Sequence, residues 1–162
     1  MITFNAVTED FVKSSKTKTT AKAVASESSV PVSVENNEGF AKNDYVIVKK
    51  EGNEQAHICL IDDVSGSNTI ILHNLKHNLK VGDEITKIAF NQRKLYGSAT
   101  KDGTYNFIEV KDIAVNNPQG TFFVYEGSAY TWFKATYYNE ITLTETSLDD
   151  AIPVQLSEET HY

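Results

Sequence analysis

Between residues 44 and 148 the apolar residues recur every second position in short β-branched runs, each closed by turn-forming residues, and never at the 3.6-residue spacing of a helix. That pattern confines the chain to sheet architectures. Asp44-Tyr45-Val46-Ile47-Val48, Gln55 to Ile61, Thr69-Ile70-Ile71-Leu72 and Gly82 to Ile88 read as four strands. Lys49 to Asn53 and Asp63-Val64-Ser65-Gly66-Ser67-Asn68 supply turns between them. Four strands so closely spaced imply a small antiparallel barrel or half-sandwich.

The stretch 91–148 continues the pattern. Arg93-Lys94-Leu95-Tyr96 leads into a hairpin at Lys101-Asp102-Gly103-Thr104, where Asp-Gly tolerates the positive φ of a tight turn. Tyr105 to Val110 returns, Asn116 to Gly120 is a loop, and Thr121 to Tyr125 follows. A long strand, Tyr130 to Tyr138, then runs toward a last one at Glu140 to Thr144. In the long strand Tyr130, Trp132, Lys134, Thr136 and Tyr138 share one face, and Thr131, Phe133, Ala135 and Tyr137 the other. Aromatic residues on both faces require cover on both. Phe133 and one tyrosine are assigned to the core. Tyr130, Trp132 and Tyr138 are the candidate interface residues.

The two ends look different. Residues 13–37 are rich in Ser, Thr, Lys, Ala and Val and hold almost no large apolar side chain. Such a segment buries too little surface to offset its own ordering entropy. Residues 1–37 are therefore expected to form an extended N-terminal arm held by another chain, the alternative being that the arm folds back along its own domain. Residues 38–150 are expected to form the β body, and 151–162 an acidic C-terminal tail. The net charge of −7 is concentrated at that end, because six acids and no Lys or Arg follow Tyr138. No basic face is available to displace counterions from phosphate, so nucleic acid is not expected as the primary partner. No apolar run reaches the roughly 20 residues of a membrane span. The start, Met1-Ile2-Thr3-Phe4-Asn5, has neither the basic nor the apolar region of a signal peptide. One cysteine, Cys59, excludes an internal disulfide and suits a reducing cytosol.

The residues that carry chemistry elsewhere are too scattered here. His57 and Cys59 share a strand face, and His73 and His77 follow, but without the paired close spacings of a zinc motif. Val64 to Asn68 lacks the Gly-x-Ser-x-Gly frame of a nucleophile elbow. No phosphate-cradling glycine loop occurs. Asp62-Asp63 and Asp149-Asp150 are adjacent carboxylates, which does not place two carboxyls across a cleft. A calcium site at Asp63 needs six or more oxygens, and turn chemistry accounts for it better. No catalytic residue, cofactor or metal ligand is assigned.

The Leu95-Tyr96 strand end, the Gly103 hairpin, Tyr130 ahead of the long strand and the Thr/Ser-rich return resemble the later strands of a fibronectin type III or immunoglobulin-like sandwich, with Tyr130 at the tyrosine-corner position. Residues 39–148 as a whole resemble small particle proteins of tailed bacteriophages. The segments that carry this are Asn43 to Val48, Val64 to Leu72, Val81 to Ile88, Lys134 to Asn139 and Glu145-Thr146-Ser147. The resemblance implies an all-β chain, a small antiparallel barrel or β-sandwich (Ig/fibronectin III-like) with an extended N-terminal arm. It implies a virion structural protein of the head–tail connector, neck or capsid, made in the host cytoplasm. Its partners would be copies of itself and other virion proteins from the portal, capsid, tail or neck. The rival expectation is a carbohydrate-binding or adhesion module that uses exposed aromatics.

Overall fold

The computed structural model describes residues 2–4, 12–49, 56–113 and 121–155. Its strands, in chain order, are β1 (Ile2–Phe4), β2 (Val12–Lys18), β3 (Ser26–Ser33), β4 (Tyr45–Lys49), β5 (His57–Ser65), β6 (Thr69–Leu75) and β7 (Glu84–Ile88). They continue with β8 (Gln92–Ser98), β9 (Asn106–Asp112), β10 (Thr121–Phe123), β11 (Trp132–Asn139), β12 (Thr144–Glu145) and β13 (Val154–Gln155). Among the described residues there is no α-helix, so the chain is all-β and its ladders are antiparallel. The chain divides into two compact units. One comprises residues 7–89, and the other comprises residues 1–6 together with 90–162.

The 7–89 unit is a six-stranded sheet in the order β2-β7-β4-β5-β6-β3. Its two edge strands meet at their ends, so the sheet closes into a small barrel. Thr19 bridges Val34, the Thr20 N–H donates to the Ser33 carbonyl at 2.9 Å, and the Glu35 N–H donates to the Lys18 carbonyl at 2.9 Å. Alternate residues point inward and pack together: Val30, Val32 and Val34, Val46 and Val48, Cys59 and Ile61, Ile70 and Leu72, and Ile85. Fully burying each such side chain contributes about 1.5–3 kcal/mol. A bulge between Ile61 and Asp63 changes the phase of β5, so that Val64 packs on the core while Asp63 points outward. Gly82, at φ +95°, makes the turn into β7, where a side chain would be strained.

Thr19 is the keystone of the closure. Its N–H donates to the Asp83 carbonyl at 2.9 Å, and its carbonyl accepts from the Gly82 N–H at 2.9 Å. Its hydroxyl donates to the Lys80 carbonyl and accepts from the Asp83 N–H at 3.0 Å. Both Thr19 and Asp83 are buried.

The segment expected to be an arm held by another chain is instead part of its own barrel. β2 pairs with β7 along Lys16–Lys18, and β3 pairs with β6 along Ser29–Ser33. Composition misleads here because the valines of β3 alternate with Ser and Pro. Few large residues are needed where the strand closes a barrel that its neighbours largely fill. The two compact units are residues 7–89 and the remainder.

The second unit carries a sheet in the order β12-β11-β8-β9, with β13 also pairing on β11, and a separate β1–β10 ribbon. Phe123 of β10 packs with Leu95 and Phe133 of the larger sheet, giving a small sandwich-like core. The strand expected at Glu140 to Thr144 is mostly a turn. The Asn139 side chain accepts from the N–H groups of Ile141 at 3.0 Å and Thr142 at 3.1 Å, and Leu143 adopts φ +59°. Pairing resumes only at Thr144. Of the expected acidic tail, Val154–Gln155 forms β13 against Trp132 and Phe133, and 156–162 lies outside the described residues. The turn at 50–53, Gln55 and the loop at 116–120 also lie outside them.

Replacing Thr19 with valine keeps the shape and removes the hydroxyl, leaving the Asp83 N–H and Lys80 carbonyl without it. We expect a loss of about 1–3 kcal/mol in stability, seen as a lowered midpoint in chemical denaturation. An unchanged midpoint contradicts the keystone role.

Candidate functional site

The outer face of the β12-β11-β8-β9 sheet gathers the polar and aromatic side chains of this unit. Alternation on β11 puts Trp132, Lys134, Thr136 and Tyr138 on that face, and the register opposes them to Ser98, Tyr96, Lys94 and Gln92 of β8. β9 adds Phe107 opposite Tyr96 and Val110 opposite Lys94. Phe107 and Val110 are 54% and 41% exposed, unusual for large apolar residues.

Glu145 of β12 is the centre of the face. Its carboxylate accepts from the Tyr96 hydroxyl, from the Thr136 hydroxyl at 2.7 Å and from Lys94 Nζ at 3.3 Å. Burial alone would raise its pKa, but these three hydrogen bonds and the Lys94 charge outweigh burial and hold it below the ordinary carboxylate value. Tyr96 is pushed well above the ordinary phenol value, first by burial and then by its bond to Glu145 and the carboxylate charge. Lys94 Nζ sits 3.8 Å from the centroid of the Tyr138 ring and 5.6 Å from that of Phe107. Lys134 donates to the Leu148 carbonyl at 2.9 Å, below the Ser147-capped turn that holds Asp149 and Asp150. Lys94 and Glu145 form an ion pair on this face and Lys134 is held by a backbone carbonyl, while exposed Phe107 and Val110 face outward.

Of the three candidate interface residues, Trp132 and Tyr138 lie on this face, both partly exposed. Tyr130 does not. β11 begins only at Trp132, so the alternation does not extend back to Tyr130, which packs against the Leu95–Phe123–Phe133 core. A Cβ at Gly97 would come within 2.6 Å of the Tyr130 ring, so the bare glycine is what admits it. Phe133 and Tyr137 are both buried on the opposite face, Tyr137 stacked on Phe90 at 5.9 Å with the Arg93 guanidinium 4.2 Å from its ring. Sequence reasoning missed Glu145, which composition assigns to an acidic region. Only its place in Glu145-Thr146-Ser147 set it apart.

The other polar candidates are held in structural roles. His57 is buried, with Nε2 accepting from the Lys76 N–H at 3.3 Å and its ring edge-on to His77 at 5.0 Å. Burial pushes the Cys59 thiol up to about 12, the Lys76 charge pulling the other way, so the thiolate is scarce at neutral pH. Asp62 accepts from the Ser29 hydroxyl and lies 3.3 Å from His73 Nδ1. Asp63 accepts from the Val64 N–H at 2.9 Å. Among the described residues no three His, Cys, Asp or Glu converge as a metal site, and no helix is long and apolar enough to cross a membrane. Comparison with known proteins finds no matching family model, no matching curated protein and no matching solved structure. What the fold and site define is a class: an all-β chain of two units presenting an aromatic sheet face.

Because the Glu145 pKa is depressed on folding, its contribution is present above the ordinary value of 4.5 and is lost as pH falls through the depressed one. Thermal melts taken from neutral pH down through the carboxylate range should show Glu145→Gln less stable at neutrality and less acid-sensitive than wild type. Parallel pH profiles for the two proteins contradict this.

Proposed function

We propose that the chain is a non-enzymatic structural component of a bacteriophage particle, made in the host cytoplasm and assembled as a multimer at the head–tail connector, the neck or the capsid. The observation that carries this is the outer sheet face: Phe107 and Val110 stand exposed beside partly exposed Trp132 and Tyr138, while Lys94 is paired with Glu145 and Lys134 is held by the Leu148 carbonyl. A face of that kind is suited to burial against protein, since large rings contribute apolar area at low entropic cost and the paired charges need no rearrangement. The resemblance of residues 39–148 to tailed-phage particle proteins and the all-β build support the same reading. An Ig or fibronectin III-like character of the second unit belongs to it, the β1–β10 ribbon facing the larger sheet as a second layer. The partners are copies of the chain and neighbouring virion proteins, with no nucleic acid or membrane.

The exposed Phe107 and partly exposed Trp132 rings also favour the rival, a carbohydrate-binding or adhesion module, because such rings stack on sugar faces. Complementation separates the two. Alanine at Trp132 or Tyr138 removes on the order of 2–3 kcal/mol of buried aromatic surface, so assembled particles should fall sharply while circular dichroism of the free chain is unchanged. Mass spectrometry should find the wild-type chain in purified particles at fixed stoichiometry. Its absence from particles, or normal particle numbers combined with saturable oligosaccharide binding lost in Trp132→Ala, overturns the proposal.

A further inference from the structure

β9 ends the β12-β11-β8-β9 sheet, and among the described residues its ladder partner is β8 alone. The direction of its backbone groups follows from the register. The Ile113 N–H donates to the Asn91 carbonyl at 3.1 Å, in register with the β8–β9 ladder, which sets Arg93 and Leu95 facing β9. Their partners Lys111 and Glu109 face back toward β8. Val110, between them, therefore turns its own N–H and carbonyl away from the sheet. Its side chain is 41% exposed on the outer face. Glu109 and Lys111 flank it on the other face, where Lys111 Nζ lies 3.7 Å from Glu109 Oε1.

We propose that β9 pairs antiparallel with β9 of a second copy, about a two-fold axis at Val110, joining two sheets edge to edge. This rests on the assembly reading and names one of its contacts. The charges select the partner and the register. With Val110 opposite itself, Glu109 faces the second copy's Lys111 and Lys111 faces the second copy's Glu109. Shifting the axis by one residue in either direction sets Glu109 against Glu109 or Lys111 against Lys111, and like charges directly opposite each other are unfavourable. The same charges discourage an unrelated neutral strand, as charged residues on sheet edges commonly do. The bulge between Leu95 and Tyr96 disrupts the ladder near Ile108 and confines regular pairing to the Glu109–Asp112 half. On the outer face, pairing brings two exposed Val110 side chains together and extends the aromatic surface across both copies.

Sedimentation equilibrium of the full chain tests this with charge reversal. Wild type should self-associate, Glu109→Lys should weaken association by about tenfold or more, and Glu109→Lys combined with Lys111→Glu should restore it. Val110→Cys should yield a disulfide-linked dimer under mild oxidation, native Cys59 being buried and unavailable. The proposal is overturned if the double variant stays as weak as the single one, or if wild type is monomeric at every concentration and Val110→Cys forms no covalent dimer. It is also overturned if Glu109→Lys associates as well as wild type. In that last case assembly itself survives through another surface, whereas absence of the chain from purified particles removes the assembly reading without reference to β9.

Discussion

Closure of the six-stranded barrel at Thr19 is the constraint on which the 7–89 unit depends. A six-stranded antiparallel sheet left open would present two edges and one uncovered apolar face. Bringing the ends of β2 and β3 together at Thr19 and Val34 satisfies part of both edges and encloses the valines, isoleucines and leucines carried by β3 through β7. The hydroxyl of Thr19 has two partners in the Lys80–Asp83 turn, so the same residue fixes the approach to β7. A buried hydroxyl is costly when unpaired and specific when paired. Around this one residue the backbone seam to β3 and the hydroxyl's bonds to the β7 turn fix a single register.

Most strands were legible in the sequence because β4 through β9 and β11 announce themselves by alternation, and their turns by Gly, Asn and Asp. β1, β2, β3, β13 and the turn after β11 were not, and β3 and that turn show two different reasons. β3 and the residue after it carry Val30, Val32 and Val34 on one side and Ser and Pro on the other, a proper two-residue period hidden inside a composition that reads as disorder. Averaging over the segment erased the alternation, and the partner that makes it matter, β6, lies some forty residues away. The turn after β11 failed differently. Ile141, Thr142 and Leu143 have strong strand propensity, but the Asn139 carboxamide captures two of their N–H groups and ends the strand first.

The candidate site was half legible. Trp132 and Tyr138 were placed on one face by simple alternation and are found there. Tyr130 was lost because alternation was extended two residues beyond the start of the strand, and the room left by Gly97 draws its ring to the core instead. Glu145 could not be found by counting charges. It matters through a convergence of β8, β11 and β12 that no local spacing encodes. Val110 was visible only as one apolar residue in a hairpin strand, since the outward direction of its backbone follows from the ladder register rather than from its identity.

Amide hydrogen exchange at Thr20 and Glu35 tests the closure most directly, because these two N–H groups cross the seam to Ser33 and Lys18. A closed barrel predicts protection at both close to that of the buried ladder amides of β5 and β6, lost together with them on denaturation. Exchange at the rate of an unstructured peptide, while β5 and β6 stay protected, would mean that the N-terminal strands are not part of the barrel, and would contradict the fold described for residues 12–35.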